Sequence, residues 1–185
     1  MKPPENDVRM MFGRAPHIIP FQEEVSVTMR EPRLFAMGKY QAVLPAELRY
    51  CKNHMWCRVG EEGIHTFGFT SYAVRLMRDV YFLEWRVEAG QFLSARQEIG
   101  FIETQKATSG LYAPVAGELI QLNAEVLQDP SLINVDCYGS GWLFQLRADI
   151  SETLNVDQYH AHLEAGWEPT QRLIKAQMNK LGLEE

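Results

Sequence analysis

The sequence lacks any apolar run long enough to cross a bilayer, which takes about 20 residues. It has only three cysteines, Cys51, Cys57 and Cys137, at irregular spacings. That is too few for a disulfide framework and points to a reducing compartment. Cations are in the minority: 18 Lys and Arg against 24 Asp and Glu give a net charge of −6. The basic footprint of a nucleic-acid binder is therefore missing, and an anionic membrane surface is disfavoured as a partner. The amino terminus has no apolar signal core, and Glu5, Asp7, Glu23 and Glu24 do not suit an organellar transit peptide. These absences leave a cytoplasmic protein of 185 residues, long enough for one core with appendages.

Catalytic constellations are missing too. Gly139-Ser140-Gly141 has no strand-to-helix Gly-x-Gly-x-x-Gly frame and reads as a tight turn. Cys51, His54 and Cys57 recur every three residues, which is not zinc-finger spacing, and no fourth ligand accompanies them. His160 and His162 are two apart and would not share a helix face. Glu61-Glu62 sits in a turn pattern, and no Ser-His-Asp or Cys-His arrangement has local support. The chain is not expected to catalyse with its own side chains.

What is present is β-patterning. Met55 to Val59 and Ile64 to Phe69 flank Gly60-Glu61-Glu62-Gly63, a hairpin loop. Thr70 suits the N-cap of a short helix through Arg78. Val80–Trp85, Gln97–Glu103, Glu118–Asn123 and Trp142–Arg147 read as strands, and Asp129-Pro130 as the cap and first turn of a short helix. Val156 to Glu164 reads as a helix stopped by Gly166, and Pro169 to Leu181 as a second, with Leu173, Ile174, Gln177 and Met178 on one docking face. Before residue 44, five prolines break the chain into short pieces. His17–Phe21 and Val25–Met29 read there as extended segments that fold back on the body or dock on a partner. The expected fold is mainly β, a barrel-like sandwich with short connecting helices and a C-terminal helical tail.

The run Glu103-Thr104-Gln105-Lys106-Ala107-Thr108 lies between strand-like segments, placing Lys106 at an exposed hairpin tip. A lysine there offers a flexible stem and an amine open to acylation. Gly90 and Gly117 stand sixteen residues before and eleven after it, a spacing that resembles the lipoyl-domain pattern. Gly100 to Ala107 followed by Leu111 to Glu118 resembles the attachment hairpin of the glycine cleavage system H protein family. So do Leu132-Ile133-Asn134-Val135-Asp136, Tyr138-Gly139-Ser140-Gly141-Trp142, Leu48-Arg49-Tyr50, His54-Met55-Trp56 and Gly68 to Ala73. Biotin carriers flank their lysine with methionines, whereas Gln105 and Ala107 stand here, so lipoate is favoured.

The resemblance spans about Leu44 to Glu164. It implies a barrel-sandwich hybrid carrier domain over 44–165, an N-terminal extension over 1–43 and a helical tail over 166–185. It implies lipoic acid bound covalently to Lys106, with Glu103 and Ala107 as flanking motif positions, after action of a lipoate-attaching enzyme. The implied partners are glycine decarboxylase, aminomethyltransferase and dihydrolipoamide dehydrogenase, between which the arm shuttles an aminomethyl group. Two positions depart from the family pattern. Met55 stands where an acid separates His and Trp, and Gly110 where an acid follows the lysine by four. Both acids would serve a cationic amine cargo. Their loss leaves open a divergent carrier, in heterodisulfide-reductase-like sulfur transfer or in lipoate relay, and an unmodified docking protein is a further alternative.

Overall fold

The computed structural model describes residues 31–180, with side chains to residue 172. Strands β1 (Arg33–Met37) and β2 (Tyr40–Leu44) form an antiparallel hairpin turned at Gly38-Lys39. A six-stranded sheet follows, built from β3 (Arg49–Tyr50), β4 (Met55–Arg58), β5 (Ile64–Phe69), β7 (Phe92–Leu93), β10 (Gly117–Leu122) and β11 (Phe144–Ala148). Its order is β3-β4-β5-β11-β10-β7. A three-stranded sheet, β6 (Val80–Trp85), β8 (Glu98–Thr104) and β9 (Thr108–Tyr112), runs in the order β6-β8-β9. The two larger sheets make a sandwich, and neither closes into a barrel.

The sandwich core joins Met55, Cys57, Phe67 and Phe144 from one sheet to Leu83, Ile99, Ile102 and Leu111 from the other. Burying each large side chain contributes ~1.5–3 kcal/mol. On β4 all of Met55, Trp56 and Cys57 are buried. Strand alternation explains how: Met55 and Cys57 face the sandwich, while Trp56 faces a second core on the opposite side. Trp56 pairs with Gly68, where a Cβ would come within 2.5 Å of the indole. Only glycine leaves that ring its place.

The second core joins β1 and β2 to α1 (Ser71–Met77) and the long α4 (Val156–Lys180). Phe35, Ala42, Leu44, Tyr50, Trp56, Tyr72, Tyr159 and Leu163 are buried there. Residues 33–44 of the N-terminal stretch thus fold back on the body. The segments His17–Phe21 and Val25–Met29 lie outside the described residues.

The Gly60–Gly63 loop, the Thr70 cap and the β6 strand match expectation; the Thr70 side chain accepts the Ala73 N–H. One strand went unread, and four readings are corrected. The two-residue β7 is too short to carry a periodic signal. The strand expected over Glu118–Asn123 ends at Leu122, because Asn123 is the N-cap of α2 (Ala124–Gln128). Asp129 closes α2, and its carboxylate takes the Ser131 N–H and hydroxyl ahead of α3 (Leu132–Val135). The last strand starts at Phe144, since Trp142 belongs to the preceding turn.

The fourth correction concerns the tail: one helix runs through both Gly166 and Pro169. Trp167, with its ring 5.5 Å from that of Phe35, anchors the chain just past Gly166. The Thr170 hydroxyl donates to the Gly166 carbonyl at 2.8 Å, within the turn that Pro169 interrupts. Tertiary packing outweighs both breakers here. The side chains of Leu173, Ile174, Gln177 and Met178 lie outside the described set.

Candidate functional site

Lys106 sits at the tip of the β8–β9 hairpin, and Glu103 pairs with Thr108 just below it. The Thr104 N–H donates to the Ala107 carbonyl at 3.0 Å. No backbone bond returns the other way. Instead the buried Thr104 hydroxyl oxygen accepts the N–H groups of Lys106 and Ala107, each at 3.3 Å, and the hydroxyl donates to the Ala107 carbonyl at 3.1 Å. A short polar side chain stands in for the carbonyl that would otherwise close the turn. The tip backbone is therefore fixed while the Lys106 side chain, half-buried, projects from it.

Glu103 lies half-buried on the outer face of β8, and Ala107 is exposed beside the lysine. Neither side chain forms a hydrogen bond or ion pair with Lys106 among the described residues. Ala107 contributes through its backbone, which Thr104 holds.

Sequence reasoning missed two supports. The start of β6 pairs with the tip, Val80 opposite Thr104. Asn134 holds that start in place: its side-chain oxygen accepts the Val80 N–H at 3.0 Å and its amide donates to the Val80 carbonyl at 2.8 Å. Asn134 was visible as a landmark residue, but its partner is 54 positions away. The second support is electrostatic. Burial depresses the Lys106 ammonium below its ordinary range, and the positive charges of Arg78 and Arg75 press it further the same way.

The other flagged clusters separate in space. Cys51 and Cys57 face the sandwich core, where burial pushes both thiols up to about 12. His54 turns towards the second core, and its Nδ1 lies 3.0 Å from the Tyr159 hydroxyl. Burial foremost, with His162 adding to it, lowers His54 to about 4. The imidazole is thus neutral at pH 7 and hydrogen-bonded through Nδ1 to the tyrosine hydroxyl. His160 packs on Phe35, with Nε2 3.2 Å from the Leu34 carbonyl. No helix among the described residues is long and apolar enough to cross a membrane.

A β-sandwich with a lysine on a fixed hairpin tip has the form of a carrier domain. The family profile described as "Glycine cleavage H-protein" matches residues 48–165. The chain belongs to that family. Its members are lipoyl-carrying components of a multienzyme system and not enzymes. The chain is 39% identical over 125 residues to the glycine cleavage system H protein of Neisseria meningitidis serogroup A, covering 65% of this chain and 97% of that one. It is 38% identical over 119 residues to the H protein of Streptomyces coelicolor, covering 63% and 94%. A crystal structure of the H protein from Mycobacterium marinum superposes with a TM-score of 0.58 at 30% identity, over 64% of this chain and 97% of that one.

Proposed function

We propose that Lys106 carries lipoic acid in amide linkage and that the protein relays an intermediate between partner enzymes on that arm. The observation that carries this reading is the lysine itself, projecting from a tip whose backbone Thr104 fixes. When bound, lipoate supplies a disulfide that opens to accept a group and closes again by thiol–disulfide exchange. The chain supplies the rest. The paired strands β6, β8 and β9 hold the root of the arm still, and tethering gives the carried group a high effective concentration at each active site. Glu103 and Ala107 offer the attaching enzyme its recognition surface beside the lysine. The depressed Lys106 ammonium favours the free amine that must attack an activated acyl group.

The partners follow from the family: a lipoate-attaching enzyme first, then glycine decarboxylase, aminomethyltransferase and dihydrolipoamide dehydrogenase. Residues 44–165 form the carrier unit in this proposal, with 1–43 and 166–185 as its flanks. A divergent cargo is the second reading, favoured by the uncharged residues at 55 and 110. Met55 is buried in the sandwich core. Gly110 lies under Tyr112, whose hydroxyl would come within 2.8 Å of a Cβ there.

Incubation of the purified chain with a lipoate-attaching enzyme, lipoate and ATP tests the attachment. Wild type gains one lipoyl increment by intact mass and Lys106→Arg gains none. An increment that persists in Lys106→Arg would sink the assignment.

A further inference from the structure

One face of the three-stranded sheet packs into the sandwich core, and the other is open. Leu83 of β6 and Ile102 of β8 pair with each other and are buried in that core. Alternation therefore turns Phe82 and Glu84 of β6, with Phe101 and Glu103 of β8, to the open face. The register sets them as a checkerboard, Phe82 opposite Glu103 and Glu84 opposite Phe101. The rings of Phe82 and Phe101 lie 5.8 Å apart across its diagonal. Phe82 and Glu84 are exposed, while Phe101 and Glu103 are half-buried. A bulge makes this face possible. The register shifts between Val80 and Phe82, so Tyr81 is an extra residue and both Val80 and Leu83 are buried. An unbroken strand with Val80 inside would turn Phe82 inward.

One corner of the checkerboard already holds a cation. The Arg86 guanidinium carbon lies 5.2 Å from the centre of the Phe101 ring, and its Nη1 pairs with the Glu98 carboxylate. An aromatic face with a carboxylate beside it is thus a place that this sheet fills with a guanidinium. The opposite corner repeats the pattern without the cation. Phe82 stands directly across from Glu103 and two residues before Glu84. Neither of those carboxylates joins an ion pair among the described residues. With Arg86 committed to Glu98, this part of the face is negative and aromatic.

We propose that Phe82, Glu84 and Glu103 form a docking surface for the enzyme that acylates Lys106, and that this enzyme presents an arginine or lysine to it. Charge complementarity sets the chemistry: a cationic side chain would pair with the two carboxylates and lie over the Phe82 ring. Position sets the partner. Before an arm is attached, only the lysine side chain reaches out from the tip, so the attaching enzyme has to close on the hairpin itself. Glu103, with Phe82 across from it, lies three residues from Lys106, within about 10 Å along the chain. A standard interface of ~800 Å² per partner reaches about 16 Å from its centre. Enzymes met later are reached through the arm and do not require contact here. The inference rests on acylation of Lys106 and extends the recognition surface from Glu103 and Ala107 onto β6.

The test measures initial rates of acylation of the full chain by a lipoate-attaching enzyme with lipoate and ATP, as the chain's concentration is varied. Phe82→Ala with Glu84→Gln is expected to raise KM about tenfold and to leave kcat within about twofold, since Lys106 and its Thr104-fixed turn are untouched. Phe82→Tyr keeps the wild-type KM, and Glu84→Lys raises it more than Glu84→Gln does. In ~0.5 M salt the wild-type KM rises towards that of the double variant, whose own salt dependence is weaker. Phe92→Ala, which removes an exposed ring from the other sheet, leaves KM unchanged. Phe82 and Glu84 are both exposed, so the variants keep the wild-type Tm. Equal KM for wild type and the double variant, or a loss confined to kcat, would overturn the inference. Absence of acylation in the wild type would overturn the attachment reading and this inference together.

Discussion

The two cores are built on different principles. The sandwich core is apolar almost throughout and lies between two hydrogen-bonded sheets. The second core is aromatic and hydroxyl-rich and joins segments far apart in sequence. Tyr50 stacks on Tyr159 at 4.5 Å, and the Tyr159 hydroxyl reaches His54 at 3.0 Å and Thr70 at 3.2 Å. The Tyr50 hydroxyl donates to the Pro45 carbonyl at 2.6 Å. The first core holds the lysine hairpin; the second fastens the N-terminal hairpin and α4 to its back. The setting of Lys106 depends on one, and the placing of Arg75 over the Tyr40 ring on the other.

Removing a large side chain from the sandwich core should separate these roles most forcefully. Phe144 is fully buried, with its ring 5.5 Å from that of Phe67 and edge-on to Trp85. Phe144→Ala is expected to cost about 3–5 kcal/mol in denaturant unfolding and to lower acylation of Lys106 in step with the folded fraction. A cost below about 1 kcal/mol would mean that the sandwich is not the frame.

The second core should show itself through pH. His54 titrates at about 4 in the folded protein because burial disfavours its charge, against an unfolded value of 6.5. Between those values the unfolded chain binds the proton and the folded one does not, so stability falls as pH drops from 6.5 towards 4. The loss is about 2–3 kcal/mol. His54→Asn keeps a residue that tolerates the φ of 65° and should flatten that part of the profile, with acylation at neutral pH unchanged. Parallel profiles for the two proteins in this window would show that His54 is not the titrating group.

The smallest effect is confined to the tip. Thr104→Val preserves shape and removes the hydroxyl, for a global cost of about 1 kcal/mol. Hydrogen exchange at the Lys106 and Ala107 amides should rise far more than in the strands. Unchanged exchange there would show that the hydroxyl does not fix the turn.

The legible parts of this fold are those with local signals. Gly60–Gly63, the Thr70 cap and the alternation of β8 all lie within a few residues of what they determine. Lys106 was legible for the same reason, since a hairpin tip announces itself through the strands beside it. The Asn123 cap was hidden because a strand ran straight into it. The tail was misread because Gly166 and Pro169 signal a break only until Trp167 is seen against Phe35. The partnerships of His54 with Tyr159, Asn134 with Val80 and Arg75 with Tyr40 bridge 105, 54 and 35 positions. No periodicity reports such contacts. The hairpin tip was readable, and its supports and neighbouring charges were not.

The central claim is that Lys106 is the acylated residue, and peptide mapping of the protein purified from its native source addresses it most directly. A lipoyl or octanoyl increment on the peptide containing Lys106 is the predicted result. An unmodified Lys106, from cells whose other lipoyl carriers are modified, would contradict the account and leave a docking protein on a carrier frame.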